Sequence, residues 1–106
     1  MPRGYWIVHV DVADADAYKT YVAANAEAFA KYGAKFLVRA GAHVVVEGAS
    51  RKRQVVIEFP DYEIALSCYR SLEYQAAKRL REPASEADLV IAEGYDGPQP
   101  TSTMRS

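Results

Sequence analysis

The sequence predicts an α+β fold in β-α-β-β-α-β order, a split βαβ unit in which two helices cover one face of a four-stranded antiparallel sheet. Two observations carry that prediction. Residues 54–83, QVVIEFPDYEIALSCYRSLEYQAAKRLREP, run a buried strand directly into a helical stretch through a proline, and residues 5–33 repeat the order, YWIVHVDV leading into ADADAYKTYVAANAEAFAKYG. The 106 residues leave room for one domain, expected over 1–97, with 98–106 as a flexible C-terminal tail that lacks a core-forming pattern.

In the first strand Trp6, Val8 and Val10 point one way and Tyr5, Ile7, His9 and Asp11 the other. Asp14 is placed to cap the first helix, with Asp16 in its opening turn at the positive end of the dipole. Tyr18, Val22, Asn25, Phe29 and Tyr32 recur at steps of three and four, and Gly33 supplies the stop. Phe36 and Val38 then alternate with Lys35, Leu37 and Arg39, and Gly41 is expected to bend the chain before a strand continuation at residues 43–47. A polar turn over 48–53 leads into a strand over 54–59, so this region reads as a hairpin. Pro60 ends the strand, Asp61 caps the second helix, and Ser71 looks like a further cap that breaks it into 62–70 and 72–81. Pro83 closes the helical stretch, and residues 88–95 form the last strand.

Pooling the alternation puts Trp6, Val8, Val10, Phe36, Val38, Val55, Ile57, Phe59, Leu89 and Ile91 under the helices. The opposite face would carry Tyr5, Ile7, Leu37, Val56 and Val90 among His9, Arg39, Glu58 and Asp88. About five large apolar side chains facing water would cost roughly 1.5–3 kcal/mol each. A homodimer with its sheets face to face removes that cost, and is the expected partner state.

Composition excludes several classes. Half of the residues are apolar and a quarter charged, as in an ordinary globular protein, and the net charge of -1 gives no case for nucleic acid or membrane partners. No apolar run approaches the roughly 20 residues of a membrane span, and Cys68 is the only cysteine, so a cytoplasmic, reducing setting is expected. With His9 and His43 as the only imidazoles and no HExxH or CxxC spacing, no metal site is expected; no haem or nucleotide cofactor is expected either, since GxGxxG and P-loop patterns are missing.

The segments GYWIVHVDV, AFAKYGAKFLVRAG, VVEG, VVIEFPDYEIALSCYRSLEYQAAKRLR and ADLVIAEGYDG together resemble the family labelled domain of unknown function 1330, in the dimeric α+β barrel superfamily, over about residues 4–97. Where that family usually shows Gly-Gly after the arginine, this chain has Ala40-Gly41. The resemblance implies a ferredoxin-like fold and a dimer, and no reaction. Relatives in the superfamily include cofactor-free monooxygenases, muconolactone-type isomerases and haem proteins, which extends to this chain by analogy of fold alone.

For chemistry, His9, Arg39 and Glu58 are expected to share the uncovered sheet face. An imidazole can carry a proton, a guanidinium can hold a carboxylate or enolate, and a carboxylate can orient or act as base, which suits a small carbonyl or carboxylate substrate. The competing reading makes His9 a structural group and Arg39 and Glu58 an ion pair, in a non-catalytic ligand-binding or accessory dimer. Tyr69 and Tyr74 flank the Ser71 break and are candidate substrate contacts, against the reading that the break follows the twist of the sheet. Arg51, Lys52 and Arg53 are read as solvated turn cations, Lys78 and Arg81 as dipole partners, and Cys68 as a buried, inert thiol.

Overall fold

The computed structural model describes residues 2–101. Its elements are β1 (Gly4–Val12), α1 (Ala15–Lys31), β2 (Lys35–Arg39), β3 (Arg53–Phe59), α2 (Tyr62–Arg70), α3 (Leu72–Arg81), a 3-10 turn (Glu82–Ala84) and β4 (Ser85–Glu93). The four strands form one antiparallel sheet in the order β2-β3-β1-β4, the ferredoxin-like arrangement with its second helix split in two.

Local chemistry sets the boundaries. Asp14 accepts from the Ala17 N–H and Asp61 from the Ile64 N–H, each satisfying a donor that the first helical turn leaves free. Gly33, at φ 70°, ends α1; Ala34 N–H reaches back to the Phe29 carbonyl at 3.0 Å and Gly33 N–H to Ala30 at 3.4 Å, a Schellman closure. Ser71 does two jobs. Its Oγ donates to the Cys68 carbonyl at 2.7 Å, closing α2, and accepts from Tyr74 N–H at 3.1 Å, opening α3. Beneath these helices Trp6 packs edge-on against Phe29, Tyr69 and Tyr74, and its indole N–H donates to the Ala65 carbonyl at 2.9 Å. A buried tryptophan with its N–H satisfied fastens α2 to the centre of the sheet.

The hairpin differs from expectation. In β2, Phe36 pairs with Ile57, but Val38 pairs with Val56 and Arg39 with Val55, so Leu37 is an extra residue and the register shifts there, ahead of Gly41. One inserted residue reverses the side-chain phase of the residues beyond it. Val38 therefore lies on the uncovered face, not under the helices, and Arg39 turns to the helix side. Residues 43–47 do not continue the strand: Val44 and Val46 are 79% and 83% exposed in an irregular connection between β2 and β3. The last strand starts three residues earlier than expected, because Ser85, Glu86 and Ala87 pair with Val12, Asp11 and Val10 although their small and polar side chains give no apolar signal. It stops at Glu93, and Gly94 N–H then bonds the Arg3 carbonyl at 2.7 Å. The expected tail lies partly outside the described residues; within them the Tyr95 hydroxyl donates to the Pro98 carbonyl at 2.7 Å. Among the described residues no helix is long and apolar enough to cross a membrane.

Candidate functional site

The three residues expected to act together are separated by the register shift. His9 and Glu58 occupy the uncovered face of β1 and β3, whereas Arg39 sits on the helix side opposite Val55. Glu58 accepts from the Tyr5 hydroxyl at 3.1 Å, its cross-strand neighbour, and the Tyr5 phenol is raised above its ordinary value by partial burial first and by Glu58 second. His9 belongs to a different group. Its Nε2 lies 2.9 Å from Asp88 Oδ2, while Nδ1 accepts the Arg51 N–H at 3.3 Å and lies 2.9 Å from Ser50 Oγ. A backbone N–H aimed at Nδ1 makes that nitrogen the acceptor, which leaves the ring hydrogen on Nε2 facing Asp88.

Arg51, expected to be solvated, is the hub of that group. Its Nε donates to Asp88 at 2.9 Å, and Nη1 to Asp11 and Glu86 at 3.1 Å each. Three carboxylates and the His9 ring thus pin the end of the long β2–β3 connection to β1 and β4. Hydrogen bonding to Arg51 holds the Asp88 carboxyl below the usual carboxylate range, and Asp11 is held low first by the Lys52 N–H and then by Arg51. The surface around His9, between Ile7, Gln54, Asp88 and Val90, is a shallow hollow of about 160 Å³.

A more enclosed space lies on the other side of the sheet. α1, β2, β3 and the end of α3 surround a cavity of about 30 Å³, whose polar lining is Arg39, Arg53, Arg81, Asn25 and three tyrosines, 18, 21 and 74. Its apolar walls include Val10, Val22, Phe36 and Val55. Each guanidinium lies over an aromatic ring: Arg39 over Phe36 at 4.1 Å, Arg53 over Tyr18 at 5.3 Å and Arg81 over Tyr21 at 5.8 Å. Among the described residues none of the three has a carboxylate within 4.0 Å. The Nε atoms of Arg53 and Arg81 are buried without a hydrogen-bond partner among those residues. Asn25 is 5% exposed and its amide also bonds no described residue. An unsatisfied buried polar group costs about 1–3 kcal/mol, and two of them, the Arg53 and Arg81 Nε atoms, converge on this cavity.

Tyr74 forms the floor, its hydroxyl 2.9 Å from that of Tyr21. Burial raises the Tyr74 phenol well above its ordinary value, with Tyr21 adding to the shift and Arg81 opposing it; Tyr18 is raised for the same first reason. Among the described residues no carboxylate or imidazole lines the cavity. It is a set of cations and neutral hydroxyl and amide groups, without a carboxylate or imidazole to act as a base.

Of the two tyrosines expected at a pocket wall, Tyr74 lines this cavity and Tyr69 does not. Their rings are 5.5 Å apart, but Tyr69 faces an open depression of about 370 Å³ beside β4, where Lys78 lies 5.5 Å over it. Arg81 borders both spaces. Arg53, Arg81 and Asn25 were not singled out from the sequence as site residues. A signal existed for two of them: Asn25 is the one polar residue in the α1 stripe, and Arg53 stands two residues before Val55 on the inward-facing phase of β3.

The profile of a family described as Domain of unknown function (DUF1330) matches residues 3–95. No curated protein matches the chain at a significant level. Among solved structures, a protein of unknown function from Rhodopseudomonas palustris is similar with a TM-score of 0.71 at 15% identity, covering 91% of this chain and 85% of that one. SnoaB of Streptomyces nogalater, a cofactor-independent oxygenase, gives 0.59 at 12% identity over 94% and 99%. A dimeric protein of unknown function with a ferredoxin-like fold from Bacteroides fragilis gives 0.50 at 17% identity over 86% and 95%. At these identities the likeness is one of fold.

Proposed function

Since the chain belongs to the family of domain of unknown function 1330, which supplies a fold and no reaction, we propose a function from its own cavity: it binds a small organic anion between the helices and the sheet. The observation that carries this reading is the convergence of Arg39, Arg53 and Arg81 with the unpartnered Asn25 amide on one space that no described carboxylate lines. A guanidinium stacked by its face, as Arg39 is on Phe36, turns its N–H edge to the space beside it, the geometry that receives a carboxylate or a similar oxyanion.

Binding is favoured over proton-transfer catalysis. His9, the natural proton carrier, lies on the far side of the sheet from Arg39, and the cavity offers no base of its own. SnoaB shares the fold and is an oxygenase, and that analogy is the support for a catalytic reading. The test is a thermal-shift and calorimetric survey of small carboxylates and other oxyanions against the full chain. Stabilisation that is lost in Arg53→Met and Arg81→Met is the expected result; a flat response throughout, with both variants behaving as the parent, would refute the reading.

The assembly we propose is a homodimer formed through the uncovered sheet face. Ile7 and Val90 are 49% and 59% exposed there, Val38 on β2 is exposed on the same face, and the Bacteroides fragilis protein of the same fold is dimeric. Burying several such side chains yields roughly 1.5–3 kcal/mol apiece, comparable with the whole stability of a small domain. Light scattering should give twice the chain mass at micromolar concentration and the single mass for Val90→Asp. A monomeric parent protein would exclude this assembly.

A further inference from the structure

We propose that the ligand of the arginine cavity is a dianion, a phosphate-type ester or a dicarboxylate on a small apolar body, and not a simple monoanion. The inference rests on the anion-binding reading above and narrows its ligand class.

Three positive charges from three separate elements, β2, β3 and α3, border one cavity, and no carboxylate among the described residues offsets them. A monoanion leaves two of those charges opposed only by solvent. A dianion leaves one, and offers enough lone pairs for both buried Nε–H groups, from Arg53 and Arg81, together with the Asn25 amide.

Size requires the lining to open when such a ligand enters. The cavity of about 30 Å³ has room for roughly two waters. Arg39, exposed at the end of β2, is the one guanidinium free to swing aside and admit apolar atoms along Val22, Phe36 and Val55.

The experiment is isothermal calorimetry on the full chain with methylphosphonate and methanesulfonate, which share a shape and differ in charge, and with succinate and acetate. At pH 8 methylphosphonate or succinate should bind at least tenfold more tightly than its monoanionic counterpart, and which of the two dianions leads identifies the ligand class. For the phosphonate the advantage should shrink as the pH falls through its second ionisation, where it becomes a monoanion. Arg53→Met and Arg81→Met should each weaken dianion binding at least tenfold. Asn25→Asp, which adds a negative charge without removing a core side chain, should weaken dianions more than monoanions and serves if the arginine variants misfold. Equal affinity for dianion and monoanion would overturn this inference and leave the anion-binding reading intact. Absence of binding by all four would overturn both.

Discussion

The Tyr21 hydroxyl lies 2.9 Å from the Tyr74 hydroxyl, joining α1 to α3 at the wall of the cavity. Both rings are buried, so a hydroxyl that loses this partner is shielded from bulk water. Tyr21→Phe and Tyr74→Phe should each lower stability by about 1 kcal/mol, and the double variant by clearly less than the sum, because the second substitution removes an already orphaned hydroxyl. Urea unfolding of the four proteins measures that coupling; strict additivity would show that the two hydroxyls do not interact.

Arg81 and Arg53 should behave unlike ordinary structural arginines. Each carries a buried Nε without a partner among the described residues, and each repels the other. Replacing a buried charge by an apolar group of similar volume is often neutral or stabilising. In the absence of added anions, Arg81→Met is therefore expected to match or exceed the parent melting temperature. A loss of several degrees would mean that the guanidinium supports the fold itself.

Acid should loosen the Arg51 hub. Asp88 and Asp11 titrate lower in the folded chain than in the unfolded one, for which a carboxylate near pH 4 is ordinary. A depressed folded value means that their contribution is present above about pH 4 and disappears as the pH falls through the folded values. The gap in urea midpoint between the parent and Arg51→Met should be constant above about pH 5 and close towards pH 2. A gap that widens on acidification would contradict the assignment.

Gly4 opens β1 where the chain entering α2 crosses it. A Cβ there would meet the Asp61 carbonyl oxygen, and would stand 2.7 Å from its carbonyl carbon and 2.8 Å from Tyr62 Cα, all backbone that cannot swing away. Gly4→Ala should cost about 1–3 kcal/mol by overpacking. Thermal unfolding of the variant is a direct check, and an unchanged midpoint would show that the crossing can widen.

Cys68 lies fully buried in α2, and burial pushes its thiol up to about 12. A thiol-disulfide reagent at pH 8 should leave it untouched until the protein is unfolded. Because the folded value is raised, the associated stability holds below the unfolded value of about 8.5 and falls as the pH climbs beyond it. Rapid native labelling would point to frequent opening between α1 and α2.

Wherever one residue carries its own local signal, the fold was legible in the sequence. Asp14, Gly33, Pro60, Asp61 and Ser71 each satisfy or withhold a particular backbone group; α1 and α2 begin and end at them, and α3 begins at Ser71. The candidate site was not legible in the same way, because it depends on pairing between strands distant in sequence. Lys35 to Arg39 alternates in sequence as a regular strand does, and only the fit of β2 on β3 reveals that Leu37 is surplus. The same limit hid the Arg51 hub, whose carboxylates come from β1 and β4, some 35 to 40 positions away along the chain. Arg81 satisfied a sufficient local explanation at the end of α3, which masked the cavity beneath it.

The surplus residue in β2 makes the site sensitive to length in one direction. Excising Leu37 would leave Val38 opposite Val56 and Arg39 opposite Val55, so a shortened chain keeps its arginine pointing inward. Adding a further residue between Val38 and Arg39 would rotate the guanidinium outward and empty one corner of the cavity. A deletion and an insertion at neighbouring positions, equal in size, should thus have opposite fates.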